Sequence, residues 1–195
     1  MTKEIRQALG LELRTEGDNV LVEGYAAVFN QDANIGDYFI ERIEPGAFAD
    51  AIGRDDVVFL INHEGLPLAR TRSGTLKLFE DDHGLGMSTE LDLSDPDVLQ
   101  IVPKMKRGDL DKMSFAFRAE VQEWDESGDL PIRTITQAAL YDVSIVTTPA
   151  YDGTDIGLRK VLDQHQADLR KSNFEAARRR LKMKMDHDLR SRSAD

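Results

Sequence analysis

Short stretches of alternating apolar and polar residues, separated by turns rich in Gly and Asp, dominate the first three quarters of the chain. Residues 9–14 alternate with the two-residue period of a strand that buries one face. Residues 20–29 repeat the pattern after a Glu-Gly-Asp-Asn turn, so the two segments are predicted to pair as a hairpin. Residues 57–62 form an apolar, β-branched run typical of a strand covered on both faces. The chain is therefore predicted to fold mainly as β-sheet.

Two further hairpins are predicted downstream. Residues 75–80 and 85–93 flank the turn Asp-Asp-His-Gly, and residues 113–124 and 132–146 flank the turn Asp-Glu-Ser-Gly-Asp. A series of hairpins leaves fewer exposed strand edges when the sheet closes on itself. We therefore expect an α+β, mainly β fold, namely a closed antiparallel β-barrel flanked by short helices.

Helices are predicted at three places. Residues 45–52 begin with Pro-Gly, and proline is favoured in a first helical turn. Residues 97–107 follow an Asp-Pro entry, with Pro103 expected to kink or interrupt the helix. Residues 157–189 lack proline and are rich in Leu, Ala, Arg and Lys, which predicts one long helix, continuous or broken near Ser172-Asn173.

The charge divides the chain into two parts. The net charge is −11, yet residues 1–157 carry 14 Lys and Arg against 30 Asp and Glu, whereas residues 158–195 carry 11 against 6. An acidic body argues against a nucleic-acid partner, because phosphate binding requires a basic face. We predict a β-barrel domain over residues 1–158 and a basic helical tail over residues 159–195.

The composition also excludes several kinds of site. The chain has no cysteine, so disulfides, thiolate metal sites and cysteine nucleophiles are excluded. No apolar run approaches the ~20 residues of a membrane span, and the first residues lack the apolar core of a signal peptide. No cofactor-binding motif is present. We therefore expect a soluble cytoplasmic protein with no membrane partner and no cofactor.

Of the four histidines, His63 is the strongest candidate for a functional residue. It directly follows the apolar run 57–61, and strand ends commonly present functional groups on a rigid support. The others, His83, His165 and His187, lie in polar segments and are expected to be solvated. A structural role for His63 stays open, whereas a metal site is poorly supported because no second histidine follows four residues later.

Ser114 and Asp142 are polar residues inside predicted strands. On a strand, Ser114 shares one face with Ala116 while its bulky neighbours point to the other, which leaves room for a substrate. Asp142 lies in an apolar strand, where an ionised carboxylate is costly without a cation or a hydrogen-bond donor. The alternatives are a serine that merely bonds a neighbour and a structural ion pair.

Together, Ser114, His63 and Asp142 contain the three groups of a nucleophilic serine site. A serine hydroxyl attacks poorly unless a base removes its proton, and a neutral imidazole does this near pH 7. A carboxylate then fixes the imidazole tautomer and stabilises its positive charge. The order His, Ser, Asp along the chain is no obstacle, because such sets are defined by their geometry.

Six stretches, in order over residues 5–158, resemble the prohead maturation proteases of tailed bacteriophages, the HK97 type, which are distantly similar to herpesvirus assemblin. The stretches are Glu23-Gly-Tyr-Ala-Ala-Val-Phe29, Ile43-Glu-Pro-Gly-Ala-Phe48, Leu60-Ile-Asn-His-Glu64, Asp82-His-Gly-Leu85, Gly108-Asp-Leu-Asp-Lys-Met-Ser-Phe-Ala-Phe117 and Asp142-Val-Ser-Ile-Val-Thr-Thr-Pro-Ala150. The resemblance implies an assemblin-like fold.

The resemblance also implies a serine endopeptidase with His63 as base, Ser114 as nucleophile and Asp142 as third member. Many relatives carry Glu at the third position, so the shorter Asp142 would have to lie closer to the ring. The herpesvirus enzymes use a second histidine there, and His83 is not well placed for that role. By analogy, the backbone of residues 147–151 is expected to provide the oxyanion hole.

The family context supplies expectations about substrates and partners. The protease would cleave scaffold and capsid-protein segments, and itself, inside the immature capsid in the cytoplasm of the bacterial host. It would become active on self-association into a dimer or larger oligomer. The alternatives are a catalytically idle capsid-assembly or scaffold protein with the same barrel, and a barrel that binds a small ligand.

The tail contains a basic cluster at residues 178–185 that is predicted to be helical. A solvated helix is the simplest interpretation. The functional alternatives are docking to the acidic body of another copy, docking to an acidic scaffold or capsid segment, and a region for self-cleavage. Nucleic-acid binding is a weaker alternative, because the cluster is short and has no interleaved aromatic residues.

Overall fold

The computed structural model describes residues 3–9, 11–16, 19–147 and 155–192. The chain forms two compact units, Met1–Gly153 and Thr154–Asp195. Among the described residues the first unit contains eleven strands and two helices, and the second contains one helix. The functional division into a protease domain over residues 1–158 and a tail over residues 159–195 stays a prediction.

The first unit consists mainly of strands, with a short helix at two places along the chain. The strands are β1 (Glu4–Leu9), β2 (Leu11–Glu16), β3 (Asn19–Val28), β4 (Ala33–Ile35), β5 (Phe39–Ile43), β6 (Val58–Ile61), β7 (Glu64–Arg70), β8 (Leu76–Glu80), β9 (Gly84–Asp92), β10 (Lys112–Asp125) and β11 (Ile132–Val146). The helices are α1 (Ala49–Arg54), between β5 and β6, and α2 (Pro96–Lys106), between β9 and β10. The three predicted hairpins are confirmed as β2–β3, β8–β9 and β10–β11.

The strands form two sheets. One is a four-stranded antiparallel sheet in the order β2-β3-β9-β8. The other has seven strands, in the order β1-β10-β11-β5-β4, and it forks at β11, which also pairs with β6, while β6 pairs with β7. Both β5 and β6 run parallel to β11, β5 along residues 132–135 and β6 along residues 142–145.

The predicted closed antiparallel β-barrel is therefore wrong. No hydrogen-bonded strand pair in the described part of the chain joins the two sheets, and strands β1, β4, β7, β2 and β8 remain at sheet edges. The physical reason lies in β11, whose free side is shared by two parallel strands, so the strands cannot follow one antiparallel circuit. Strands β5 and β6 do not pair with each other, and the segment that contains α1 connects them along the same side of β11.

One buried core contains side chains from both sheets. On β10 the alternation predicted from the sequence is observed, since Met113, Phe115 and Phe117 are all buried in this core. The four-stranded sheet contributes Val22 and Met87. Burial of each large apolar side chain contributes about 1.5–3 kcal/mol, so the core fixes β10 firmly in place. The opposite face of β10 carries Ser114, which is therefore presented on a rigid strand.

Helix α2 begins as the sequence predicts. Asp95 caps it by accepting a hydrogen bond from the backbone N–H of Asp97 at 2.8 Å, and Pro96 occupies the first turn. Pro103 lies inside the helix, which continues to Lys106. Helix α1 begins later than predicted, at Ala49.

The second unit is the continuous helix α3 (Asp155–Arg192), so the break considered near Ser172-Asn173 does not occur. Its large apolar side chains are exposed at Leu169, Phe174, Leu181 and Met183. None of the helices within the described residues has the length and apolar character needed to cross a bilayer.

Candidate active site

His63 lies in the tight turn between β6 and β7. The turn consists of Asn62 and His63, whose φ angles are 52° and 61°. Two-residue hairpin turns of this kind require positive φ at both central residues, and they favour Asn followed by Gly. A histidine in the left-handed region costs roughly 1–2 kcal/mol, and such strain is characteristic of functional sites.

The end of β11 holds this turn in position. The backbone N–H of Asn62 donates to the carbonyl oxygen of Ile145 at 2.9 Å. The side-chain oxygen of Asn62 accepts hydrogen bonds from the backbone N–H of Thr147 at 3.0 Å and from its hydroxyl at 3.2 Å. These bonds fix the backbone from which the His63 ring projects.

Ser114 and Asp142 come from neighbouring strands of the same sheet. Ser114 lies on β10 opposite Ser144 of β11, and Asp142 lies on β11 opposite Ala116 of β10. Asp142 is also opposite Val58 of β6, the strand that leads to His63. Strand β11 is therefore the common neighbour that brings the three predicted site residues together.

The three side chains form a continuous hydrogen-bonded series. The Nε2 atom of His63 lies 2.7 Å from Oγ of Ser114, and its Nδ1 atom lies 2.5 Å from Oδ1 of Asp142. The arrangement fits a neutral ring that donates its Nδ1 proton to the carboxylate and offers the Nε2 lone pair to the hydroxyl, a tautomer assigned from these contacts. The ring is 10% exposed, whereas Ser114 and Asp142 are buried.

Two residues that the sequence interpretation missed complete the surroundings of Asp142. Lys3 Nζ lies 2.8 Å from Oδ2, and the Ser144 hydroxyl donates to Oδ1 at 2.9 Å. Ser144 Oγ also lies 3.2 Å from His63 Nδ1. The position of Ser144, two residues after Asp142 and so on the same strand face, was a usable signal. Lys3 carried none, because it is 139 residues away along the chain.

These contacts determine the charge of Asp142. Burial alone would raise its pKa, but hydrogen bonds from His63, Lys3 and Ser144, together with the electrostatic interaction with His63, outweigh burial and hold the pKa of Asp142 below its ordinary value of 3.8. The carboxylate is therefore ionised at neutral pH, as the third member of such a set requires.

Strand β1 covers Ser114. Gln7 of β1 lies opposite Ser114, and the Ser114 hydroxyl contacts the carbonyl oxygen of Arg6 at 2.7 Å. Ser114 has no exposed surface. In this arrangement the hydroxyl has two acceptors within reach, Arg6 O and His63 Nε2.

The remaining sequence candidates lie elsewhere. His83 is exposed, and its ring lies edge-on to Tyr25 at 4.4 Å between centroids. Of the expected oxyanion-hole segment 147–151, only Thr147 lies within the described residues, and its backbone N–H donates to Asn62. Residues 148–151 and the side chain of His187 lie outside the described part. Within that part, no group of three or more His, Asp or Glu side chains could hold a metal ion.

A serine, a histidine and a carboxylate joined by hydrogen bonds on rigid strands define a candidate serine hydrolase. The chain belongs to the family of caudovirus prohead serine proteases, whose family model matches residues 9–168. The matched range includes His63, Ser114 and Asp142, whereas nearly all of β1 precedes it.

One relative is the prohead protease of Enterobacteria phage HK97. The two chains are 29% identical over 154 residues, which are 76% of this chain and 64% of that protein. The chain therefore spans slightly less than two thirds of the length of this relative. A search of solved structures found no match.

Proposed function

We propose that this chain is a serine endopeptidase of phage capsid maturation, which cleaves capsid and scaffold proteins, and itself, inside the prohead in the bacterial host cytoplasm. The observation that carries the proposal is the hydrogen-bonded series Ser114–His63–Asp142 in a member of the prohead serine protease family. The family supports capsid protein as the substrate class, because that is the material of the prohead.

The first half of the proposed reaction is acylation of Ser114. His63 Nε2 removes the hydroxyl proton as Oγ bonds to the carbonyl carbon of the scissile peptide, and the carbonyl oxygen becomes an oxyanion. The intermediate then collapses, the C–N bond breaks, and the leaving amine takes the proton from His63. An acyl ester on Ser114 and a free amino terminus result.

The second half repeats these proton transfers with water. His63 removes a proton from a water molecule, the hydroxide oxygen bonds to the ester carbon, and the proton returns to Ser114 Oγ as the ester bond breaks. Asp142 stays ionised throughout and stabilises the transient imidazolium. The Thr147 backbone N–H already donates to Asn62, so the oxyanion donors are proposed to come from the rest of the expected segment, residues 148–151. Each such donor contributes about 3 kcal/mol in known enzymes.

The short side chain of Asp142 is compatible with this role. Its Oδ1 atom lies 2.5 Å from His63 Nδ1. From this position on β11 the aspartate side chain is long enough to contact the ring, and a longer glutamate side chain is not required. The Ser144 hydroxyl, 2.9 Å from Oδ1, supports the same oxygen. We propose Ser144 as a positioning residue, because its hydroxyl contacts the acid and the ring from the position directly opposite Ser114 in the sheet.

A second candidate function is supported by one observation. Ser114 is fully buried beneath β1, which would suit a capsid-assembly protein that keeps an idle site. The open sheets remove the basis for the third alternative, a small-ligand-binding barrel. The leading proposal also includes self-association of the protease, which the family context implies.

Labelling by a serine-directed fluorophosphonate separates the two candidates. We expect the wild type to be labelled and to produce self-cleavage fragments, and both to disappear in Ser114→Ala and in His63→Ala, because triad members act as a unit. Ser127→Ala is the matched control, since Ser127 is exposed in the turn after β10. Absence of both labelling and fragments in the concentrated wild type would instead support the assembly protein.

A further inference from the structure

Strand β1 occupies the sheet edge next to the proposed nucleophile. It pairs antiparallel with β10 from Glu4 opposite Phe117 to Leu9 opposite Lys112. It is the outermost strand on this side of the seven-stranded sheet, so its departure would free the backbone of β10 on both sides of Ser114. An edge of unpaired backbone N–H and C=O groups is a template for another extended chain.

The contact between β1 and Ser114 opposes the proposed chemistry. With the ring neutral and its Nδ1 proton on the Asp142 side, both Arg6 O and His63 Nε2 are hydrogen-bond acceptors. The Ser114 hydroxyl has one proton, so it can serve only one of them at a time. While β1 is in place, Arg6 O competes with the base for the proton whose removal starts the reaction.

The pose of Arg6 is also unproductive for cleavage of β1. A scissile carbonyl must present its carbon to the nucleophile and its oxygen to separate donors. Here the oxygen of Arg6 faces Ser114 Oγ at 2.7 Å and accepts a hydrogen bond from it. The strand therefore blocks the site in the manner of a bound peptide that is not cut.

Charged groups hold β1 in place. Glu4 pairs with the buried Arg133, and Arg6 pairs with the buried Glu41, whose carboxylate also contacts Arg133 at 2.8 Å. Lys3 pairs with Asp142 at 2.8 Å. Leaving buried charges without partners is costly, so β1 is expected to leave only transiently unless another segment replaces it. When β1 leaves, Arg133 and Glu41 still pair with each other and can receive an acidic and a basic side chain from an incoming strand.

We propose that the edge of β10 covered by β1 is the surface on which the extended substrate segment pairs, and that β1 is its resident occupant and keeps the site closed. This inference rests on the proposed function and names its substrate geometry, an extended peptide that carries an acidic residue two positions before a basic one, as Glu4 and Arg6 do. Activation is then the exchange of β1 for a substrate strand.

A reversible cross-link tests this exchange in the full-length chain. The chain has no cysteine, so Ile5→Cys combined with Ala116→Cys introduces a single disulfide between two directly opposed residues. Fluorophosphonate labelling of the oxidised double variant is expected to be slower than that of the reduced form by about tenfold or more, as a trapped closed population requires. The two single-cysteine variants are the controls and should label alike in both conditions.

A second measurement uses the wild type and needs no folded variant. Phosphonylation of Ser114 places a bulky group where Arg6 O lies, so backbone amide exchange in β1 should accelerate after labelling. Strand β2, the edge strand of the other sheet, is the internal control and should keep its exchange rate. Unchanged protection of β1 after complete labelling contradicts the inference.

The outcomes separate this inference from the proposed function. Equal labelling of the oxidised and reduced double variant overturns the occupant role of β1 while leaving the protease intact. Failure of the wild type to label under any condition overturns the proposed function and this inference with it. Loss of labelling on oxidation, its recovery on reduction and faster exchange in β1 support both.

Discussion

Asp142 keeps a negative charge inside the protein because donors surround both of its oxygens. Lys3 contacts one oxygen, whereas His63 and Ser144 contact the other. Without them the carboxylate would be protonated or the strand would be destabilised. The same contacts that fix the proposed acid therefore also contribute to folding, and stability measurements can detect them independently of activity.

The first prediction concerns acid stability. The folded-state pKa of Asp142 is below its ordinary value of 3.8, so its ionised form stabilises the fold above that pH. This stabilisation is lost as the pH falls through the lower folded-state pKa. Urea unfolding from neutral pH to about pH 2 should therefore show that the stability advantage of the wild type over Asp142→Asn shrinks on acidification. A difference that does not vary with pH would contradict this account.

The second prediction concerns Ser144. Its hydroxyl contacts both Asp142 and His63, so Ser144→Ala removes one net hydrogen bond worth about 1 kcal/mol. If this hydrogen bond stabilises the transition state of the labelling reaction, its removal slows labelling of Ser114 about fivefold. Ser88→Ala, a half-buried serine on β9 in the other sheet, is the control. Equal labelling rates for Ser144→Ala and wild type would show that Ser144 does not position the site.

At the scale of elements, the turn between β6 and β7 connects local strain to the site. Its two residues take left-handed conformations, and Asn62 is tied to Thr147 at the end of β11. The turn thus transmits the position of β11 to the His63 ring. A change in Asn62 should disturb the site even though its side chain does not contact Ser114.

The third prediction compares two substitutions at this position. Asn62→Gly and Asn62→Ala both lose the hydrogen bonds to Thr147, but only alanine must also adopt an unfavourable positive φ. We expect Asn62→Ala to be less stable than Asn62→Gly by about 1 kcal/mol. Urea denaturation measures the difference, and both variants should label more slowly than the wild type. Equal stability of the two variants would argue against strain at this turn.

The sequence predicts elements that are built from local contacts. The three hairpins follow from period-two patterns and their turns, because each strand pairs with its neighbour along the chain. The parallel pairing of β5 and β6 with β11 was not predictable in this way, since those partners lie about 80 or more residues apart along the chain. Because of this non-local pairing, the strands form two open sheets and not the predicted barrel.

The same difference between local and non-local contacts determines which residues of the candidate site could be predicted. His63, Ser114 and Asp142 each show a local anomaly, a polar residue at the end of or inside an apolar strand, and the family resemblance unites them. Lys3 and strand β1 show no such anomaly in the sequence. Their role depends on contacts more than 100 residues away along the chain, which only the folded structure reveals.

At the scale of the whole molecule, the three proposed catalytic residues all belong to the first unit, and helix α3 forms the second. The basic cluster at residues 178–185 lies on α3, while the first unit carries the acidic excess. We therefore propose that catalysis and docking belong to different parts of the chain. Truncation is the direct way to test this separation.

The fourth prediction is that ending the chain after residue 160 preserves labelling of Ser114 but reduces incorporation into proheads. The proposed reason is that the basic helix docks to an acidic segment of scaffold, capsid protein or a second copy. The full-length triple variant Arg178→Glu, Arg179→Glu, Arg180→Glu is the charge control and should show the same defect. Normal incorporation of both proteins, measured in purified proheads, would refute the docking role.

The pairing of β11 with both β5 and β6 restricts which sequence changes this protein can accept during evolution. Strand β11 pairs on one side with the strand of the proposed nucleophile and on the other with the strand that leads to the proposed base, and it carries the proposed acid. A slip of one residue in β11 would turn Asp142 to the opposite face and misalign both neighbours at once. Insertions should therefore accumulate in surface connections and spare this strand, and descendants that lose activity should do so in a single step.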